Sequence, residues 1–254
     1  MNKKVSSLVL AGALVLGSVL PVAASAATVT STNGKTTSEV TFDAPDNVTK
    51  PVDPTNPGTT VKEPDGSDNG GATVDPTGPL SFLYVSKDIN FGSQKAVTTG
   101  TQSFKNTTET PIKVTSQGFG SGTANTNLVT EVSDTRGTNA GWNVQVSSSA
   151  LTLDGATDVL KGATINFGAD DTTKNTVTNS GDAAATGVAG QSVALATGDA
   201  TGATIYSAAK DAGAGSTAFQ LSPDNISITG IEANAKAGTY EGSLTWTLND
   251  TPTN

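Results

Sequence analysis

Apolar residues recur along this chain with a period of two far more often than with the period of a helix, as they do in strands that bury one face. The longest such run is the last. Tyr240, Gly242, Leu244, Trp246 and Leu248 fall on one face, and Glu241, Ser243, Thr245, Thr247 and Asn249 on the other. Pro252 ends the run, because a residue without an amide proton cannot continue a ladder. The only other tryptophan repeats the arrangement: Trp142, Val144 and Val146 alternate with Asn143, Gln145 and Ser147 after the turn-forming stretch Arg136–Gly141. These patterns predict strands over Trp142–Ser147 and Gly238–Asn249. Shorter runs predict others near Leu80–Val85, Ile89–Phe91, Ile112–Thr115, Leu128–Val132, Ile165–Phe167, Val193–Leu195, Thr204–Tyr206, Phe219–Leu221 and Ile226–Ile228. The best helix candidates, Ala184–Gly190 and Ala208–Ala212, are short and rich in glycine or alanine without periodicity. The expected fold is therefore all-β, an antiparallel sandwich-like domain with long loops. The longest loop is expected over Asp170–Ala203, with room for an excursion hairpin.

The N-terminal third reads differently. Met1-Asn2-Lys3-Lys4, an apolar run from Leu8 to Val22 and the small residues Ala24-Ser25-Ala26 form a secretory signal over residues 1–26, cut before Ala27. Residues 27–44 are polar and threonine-rich, with one candidate edge strand at Glu39-Val40-Thr41-Phe42. Seven of the eleven prolines then fall within residues 45–79, a composition expected to make an extended, partly polyproline-like linker. Residues 80–254 are left as the folded domain. It is long enough to bury about 70% of the surface its unfolded chain exposes.

Composition narrows the chemistry. The chain has no histidine and no cysteine, so a Ser-His-Asp triad, a Cys-His pair, an ordinary zinc site and stabilising disulfides are all excluded. Only carboxylate catalysis is left to an enzyme, and Asp134, Asp154 and Glu241 carry no local signature for that role. No catalytic residue and no cofactor is expected, and a carboxylate-dependent glycan hydrolase is the one enzyme class left as an alternative. Its formal net charge is −9 with a single arginine, Arg136, so nucleic acid and anionic membrane surfaces are not expected partners. Asp65-Gly66-Ser67-Asp68-Asn69-Gly70 superficially has the rhythm of a calcium loop, but Pro76 stands where the closing glutamate is needed, so no metal is expected. After the signal no apolar run is long enough to span a bilayer, and Leu248–Asn254 holds neither a sorting motif nor a basic end. Either the folded domain itself binds a surface or the protein is expected to be released.

The terminal residues Tyr240, Leu244, Thr245, Trp246, Leu248 and Pro252 meet the pattern Tyr-x-x-x-Leu-Thr-Trp-x-Leu-x-x-x-Pro. In this the chain resembles the WxL surface proteins of Gram-positive bacteria. The family's proximal motif is matched by Trp142-Asn143-Val144, and its opening by Gly78-Pro79-Leu80 and Asn90-Phe91-Gly92. The resemblance implies an extracellular protein held non-covalently at the cell wall through peptidoglycan, with Trp142, Asn143, Val144, Tyr240, Leu244, Thr245, Trp246, Leu248 and Pro252 forming or shaping the site. An alternative is a module that binds other surface proteins of a multi-component complex, or host matrix proteins. The tryptophans have two readings. Alternation in register with Leu244 and Leu248 favours core anchors. The resemblance favours an aromatic platform for sugar rings, for which the two tryptophans are expected close together on neighbouring strands.

The Ala24-Ser25-Ala26 site predicts a secreted product beginning at Ala27. Intact-mass measurement of exported material checks this, and a mass that still includes Lys3 and Lys4 refutes it.

Overall fold

The computed structural model describes residues 34–252 apart from Ala156, so the signal and its cleavage site lie outside the described residues. The chain divides into Met1–Thr41 and a compact unit, Phe42–Asn254. Glu39–Phe42 forms no strand: Val40 and Phe42 are 76% and 88% exposed. Two apolar residues in a polar stretch bury too little area to offset the ordering of a strand.

Within the compact unit the strands are β1 (Val52–Asp53), β2 (Asn56–Thr60), β3 (Leu80–Val85), β4 (Asp88–Asn90), β5 (Thr101–Lys105), β6 (Lys113–Thr115), β7 (Leu128–Asp134), β8 (Trp142–Ser148), β9 (Thr152–Leu153) and β10 (Thr164–Gly168). They continue with β11 (Asn175–Asn179), β12 (Val188–Gly190), β13 (Ser192–Ala196), β14 (Ala203–Ala208), β15 (Gly215–Leu221), β16 (Ile226–Glu232), β17 (Tyr240–Glu241) and β18 (Leu244–Asn249). Three antiparallel four-stranded sheets carry the fold, in the orders β11-β15-β7-β3, β12-β14-β8-β18 and β13-β10-β16-β5. One core joins them. Leu128, Val132, Phe219 and Leu221 come from the first sheet, Trp142, Val144, Val146 and Ile205 from the second, and Ile165, Phe167, Leu195 and Ile228 from the third.

In the Asp170–Ala203 stretch β13 covers the strand expected at Val193–Leu195, but β11 and β12 form where a loop was expected, and each of the three is an edge strand of a different four-stranded sheet. Local alternation is weak there because an edge strand buries only part of one face. Neither of the weak helix candidates is helical, in keeping with the all-β expectation: Val188–Gly190 is strand, and Asp211 at φ 66° turns the backbone away from helical geometry after Ala208. The single strand expected over Gly238–Asn249 is broken at Gly242-Ser243, where pairing passes from β9 with β17 to β8 with β18.

The proline-rich segment is more than a spacer. All seven residues of β7 are buried, so both faces of its sheet are covered. One face carries Leu128 and Val132 into the main core. The other carries Val129 into a second cluster with Val61, Tyr84 and Phe119. Residues 51–61 lie over that outer face: Val52 and Val61 are buried, and the Pro54 carbonyl accepts hydrogen bonds from Thr178 and Gln220. Prolines remove donors from the segment, but its carbonyls and its few valines remain able to dock.

Beneath this cover sits Glu131, fully buried. Its Oε2 accepts the Val52 amide at 3.0 Å, and its Oε1 has no hydrogen-bond partner. Burial, with the nearby Asp53 charge, pushes the carboxyl up to about 8. Between about 4.5 and 8 the folded protein therefore holds a proton that the unfolded chain has released, so stability falls as pH rises through that window. The expected slope approaches roughly 1 kcal/mol per pH unit, and no histidine titrates alongside it. Denaturant unfolding at several pH values checks this. Glu131→Gln, which keeps an acceptor for Val52, should flatten the slope relative to the unmodified protein.

Candidate functional site

The second sheet brings the two tryptophan motifs together. β8 lies between β14 and β18, with Leu244 opposite Ser148, Trp246 opposite Val146 and Leu248 opposite Val144. Directly opposed residues share a face, so Trp142, Val144, Val146, Leu244, Trp246 and Leu248 all face the same core. The tryptophans are on neighbouring strands, as the pattern predicts, but they are not adjacent. Trp246 stands opposite a residue four positions beyond Trp142, which is about 13 Å along a strand.

Their surroundings differ. Trp142 is fully buried, donates its indole N–H to the Gly213 carbonyl at 3.0 Å and meets Phe219 edge-on at 6.1 Å. Gly213, at φ 71°, is fitted to that ring, since a Cβ there would come within 2.8 Å of the indole nitrogen. Trp142 is a core anchor with no surface to offer a ligand, so a platform built jointly from both indoles does not form. Trp246 is half-buried at the sheet edge, tilted against Phe167 at 6.4 Å. Its outer side reaches a shallow groove of about 320 Å³ lined by Gly71, Ala72, Thr73, Phe82, Val85, Leu244 and Thr245. No charged side chain lines the groove.

The remaining motif residues close the end of the chain. Asn143 donates to the Thr251 carbonyl and accepts from the Asn249 side chain at 2.9 Å, while Val144 is buried and Leu248 half-buried on the core face. Thr245 is exposed on the solvent face. The Tyr240 hydroxyl accepts the Lys236 amide at 3.1 Å, which fixes the approach to β18. Pro252 follows the Thr251 carbonyl and is half-buried. Arg136 completes this closure. Its guanidinium holds the buried Asp134 through two nitrogens, at 2.9 and 2.7 Å, and donates to the carbonyls of Gly141 and Asp250. One side chain thus ties the turn before Trp142 to the residue after β18. Its being the chain's only arginine was the one sequence signal that could have marked it, because a planar fork suits several acceptors at once.

Phe82 and Gly71–Thr73 were not legible as groove residues, since they come from outside both motifs. The opening residues lie on the first sheet: Gly78-Pro79-Leu80 leads into β3, and Phe91 packs on the main core just after β4. In the Asp65–Gly70 stretch the Asp65 and Asp68 carboxylates accept backbone amides from Gly120 and Gly70, and Asp68 also pairs with Lys87. Of the three candidate acids, Asp134 is committed to Arg136, Asp154 sits in a turn at φ 48° and Glu241 is exposed. Among the described residues, no three Asp or Glu side chains are grouped so as to hold a metal ion. A second depression of about 380 Å³, lined by Lys105, Asp170, Ser192, Asp224 and Asn225 among others, contains none of the motif residues, and Asp224 there is bound to Lys174 and Asn106.

The domain thus offers a neutral groove beside the half-buried indole of Trp246. Residues 29–252 match the profile described as "WxL domain surface cell wall-binding", and the chain belongs to that family. It is therefore a surface protein associated with the cell wall. No curated protein and no solved structure matches it. Among the described residues no helix is long and apolar enough to cross a membrane.

The two tryptophans should respond differently to truncation. Trp142→Ala is expected to cost about 3–5 kcal/mol and Trp246→Ala about 1–2 kcal/mol, because only the first leaves a fully enclosed cavity. Denaturant unfolding of both variants checks the order, and equal losses would contradict the assignment of Trp142 to the core.

Proposed function

We propose that this wall protein is held non-covalently by peptidoglycan and that the groove beside Trp246 receives the glycan. The observation that carries the reading is the half-buried indole of Trp246, which lines a groove without charges. The C–H faces of sugar rings pack on an indole without needing an ionic partner. An acidic protein with formal net charge −9 gains nothing from simple attraction to anionic wall polymers, so recognition of neutral sugar surface suits it better than charge pairing. Trp142, Val144 and Leu248 shape this site from behind by fixing β18 on β8. Asn143, Tyr240 and Pro252 hold the two ends of that strand, and Leu244, Thr245 and Trp246 meet the ligand. The second reading, a module for other surface proteins or host matrix proteins, draws on the unpaired outer edge of β18.

Retention on purified sacculi, stripped of protein and teichoic acid, separates the two. The unmodified protein is expected to be retained, and Trp246→Ala, checked to be folded, to be retained roughly tenfold less. A folded unmodified protein that stays in solution overturns the peptidoglycan reading and favours a protein ligand.

A further inference from the structure

Among the described residues β18 is an edge strand whose outer side is left unpaired, with Gly71–Thr73 and Phe82 standing across a groove from Leu244, Thr245 and Trp246 without bonding to it. The Ser149 amide donates to the Ser243 carbonyl. Backbone groups alternate in direction along an antiparallel ladder, so Thr245, Thr247 and Asn249 bond toward β8, while Leu244, Trp246 and Leu248 present N–H and C=O groups outward. Edge strands are ordinarily guarded by charge, proline, a bulge, brevity or a covering segment. Of the other edges, β3 is bridged by Gly70, β5 ends in Lys105 and pairs through a bulge, and β11 and β13 are shorter than β18 by one residue. β18 has six residues, an unshifted register and no charged or proline residue.

Its sequence also reads the same in both directions. Leu244-Thr245-Trp246-Thr247-Leu248 is symmetric about Trp246. We propose that β18 joins two copies of this chain edge to edge, antiparallel about a two-fold axis at Trp246. In that register Trp246 opposes its equivalent, Leu244 opposes Leu248 and Thr245 opposes Thr247, so apolar meets apolar on one face and threonine meets threonine on the other. The outward backbone groups of Leu244, Trp246 and Leu248 fall in the hydrogen-bonded positions of the new ladder, as the alternation requires. An isologous contact needs this self-complementarity. Charge agrees as well: the flanking acids Glu241 and Asp250 fall opposite Thr251 and Gly242, so two acidic chains meet without directly apposed carboxylates. The result is one continuous eight-stranded sheet across the two copies. A second copy paired there would fill the groove beside Trp246, so pairing and glycan binding compete for one edge, and association measured without glycan reads the pairing alone.

Sedimentation velocity over a concentration series tests the pairing. The unmodified protein is expected to shift from monomer to dimer as concentration rises. Thr245→Lys with Thr247→Lys places like charges opposite each other twice across the axis and should weaken association roughly tenfold or more. Thr245→Lys with Thr247→Glu places unlike charges there and should restore it. Both threonines are exposed on the solvent face, so each variant should keep the unmodified circular dichroism spectrum. An unmodified protein that stays monomeric throughout overturns the proposal, and so do folded double variants that associate equally well.

Discussion

The structure depends on one constraint: β7 is buried along its whole length, so its sheet must be covered on both faces. In a chain without cysteine there is no disulfide to substitute for that burial. One cover is the main core, where Val132 and Leu128 meet the other two sheets. The second comes from the proline-rich residues before β3, which place Val52, Val61 and the Pro54 carbonyl on the outer face. The buried Glu131 beneath them is kept neutral by its surroundings, since a carboxylate with only one amide partner would be too poorly solvated there.

The two tryptophan motifs follow from the same economy of burial. β8 is an interior strand, so the indole at its start is enclosed and supports the fold. β18 is an edge strand, so an indole with the same sequence context is only half enclosed and can support recognition. Most of the family pattern is thus concerned with holding the last strand in register. Asn143 and Arg136 grip the backbone beyond it, and Tyr240 fixes the backbone before it.

Much of the fold was legible before any coordinates. β3 coincides with its expected span, and β7, β8, β10, β13, β14, β15 and β16 lie over the runs that alternation marks. Apart from the edge strand β13, those strands bury a full face, so each strand's own composition records its place. β1, β2, β5, β11 and β12 were missed because they are short, at edges or rich in threonine, asparagine and glycine, and their stability comes from a partner strand. The groove was half legible: Leu244, Thr245 and Trp246 were marked by their motif, while Phe82 and Gly71–Thr73 reach the same place only through the path of the chain.

By itself the sequence determined the class of fold, the strands that anchor the core, the family and the residues of the last strand. These depend on local alternation and on contiguous motifs, which pairing does not change. The tertiary structure alone decided which tryptophan is enclosed and which borders a groove, because both stand in equivalent local patterns. Exposure was set by which strand acquired two neighbours and which acquired one. It likewise turned a proline-rich stretch into a cover, since docking depends on an apolar sheet face that lies far along the chain and is assembled only on folding.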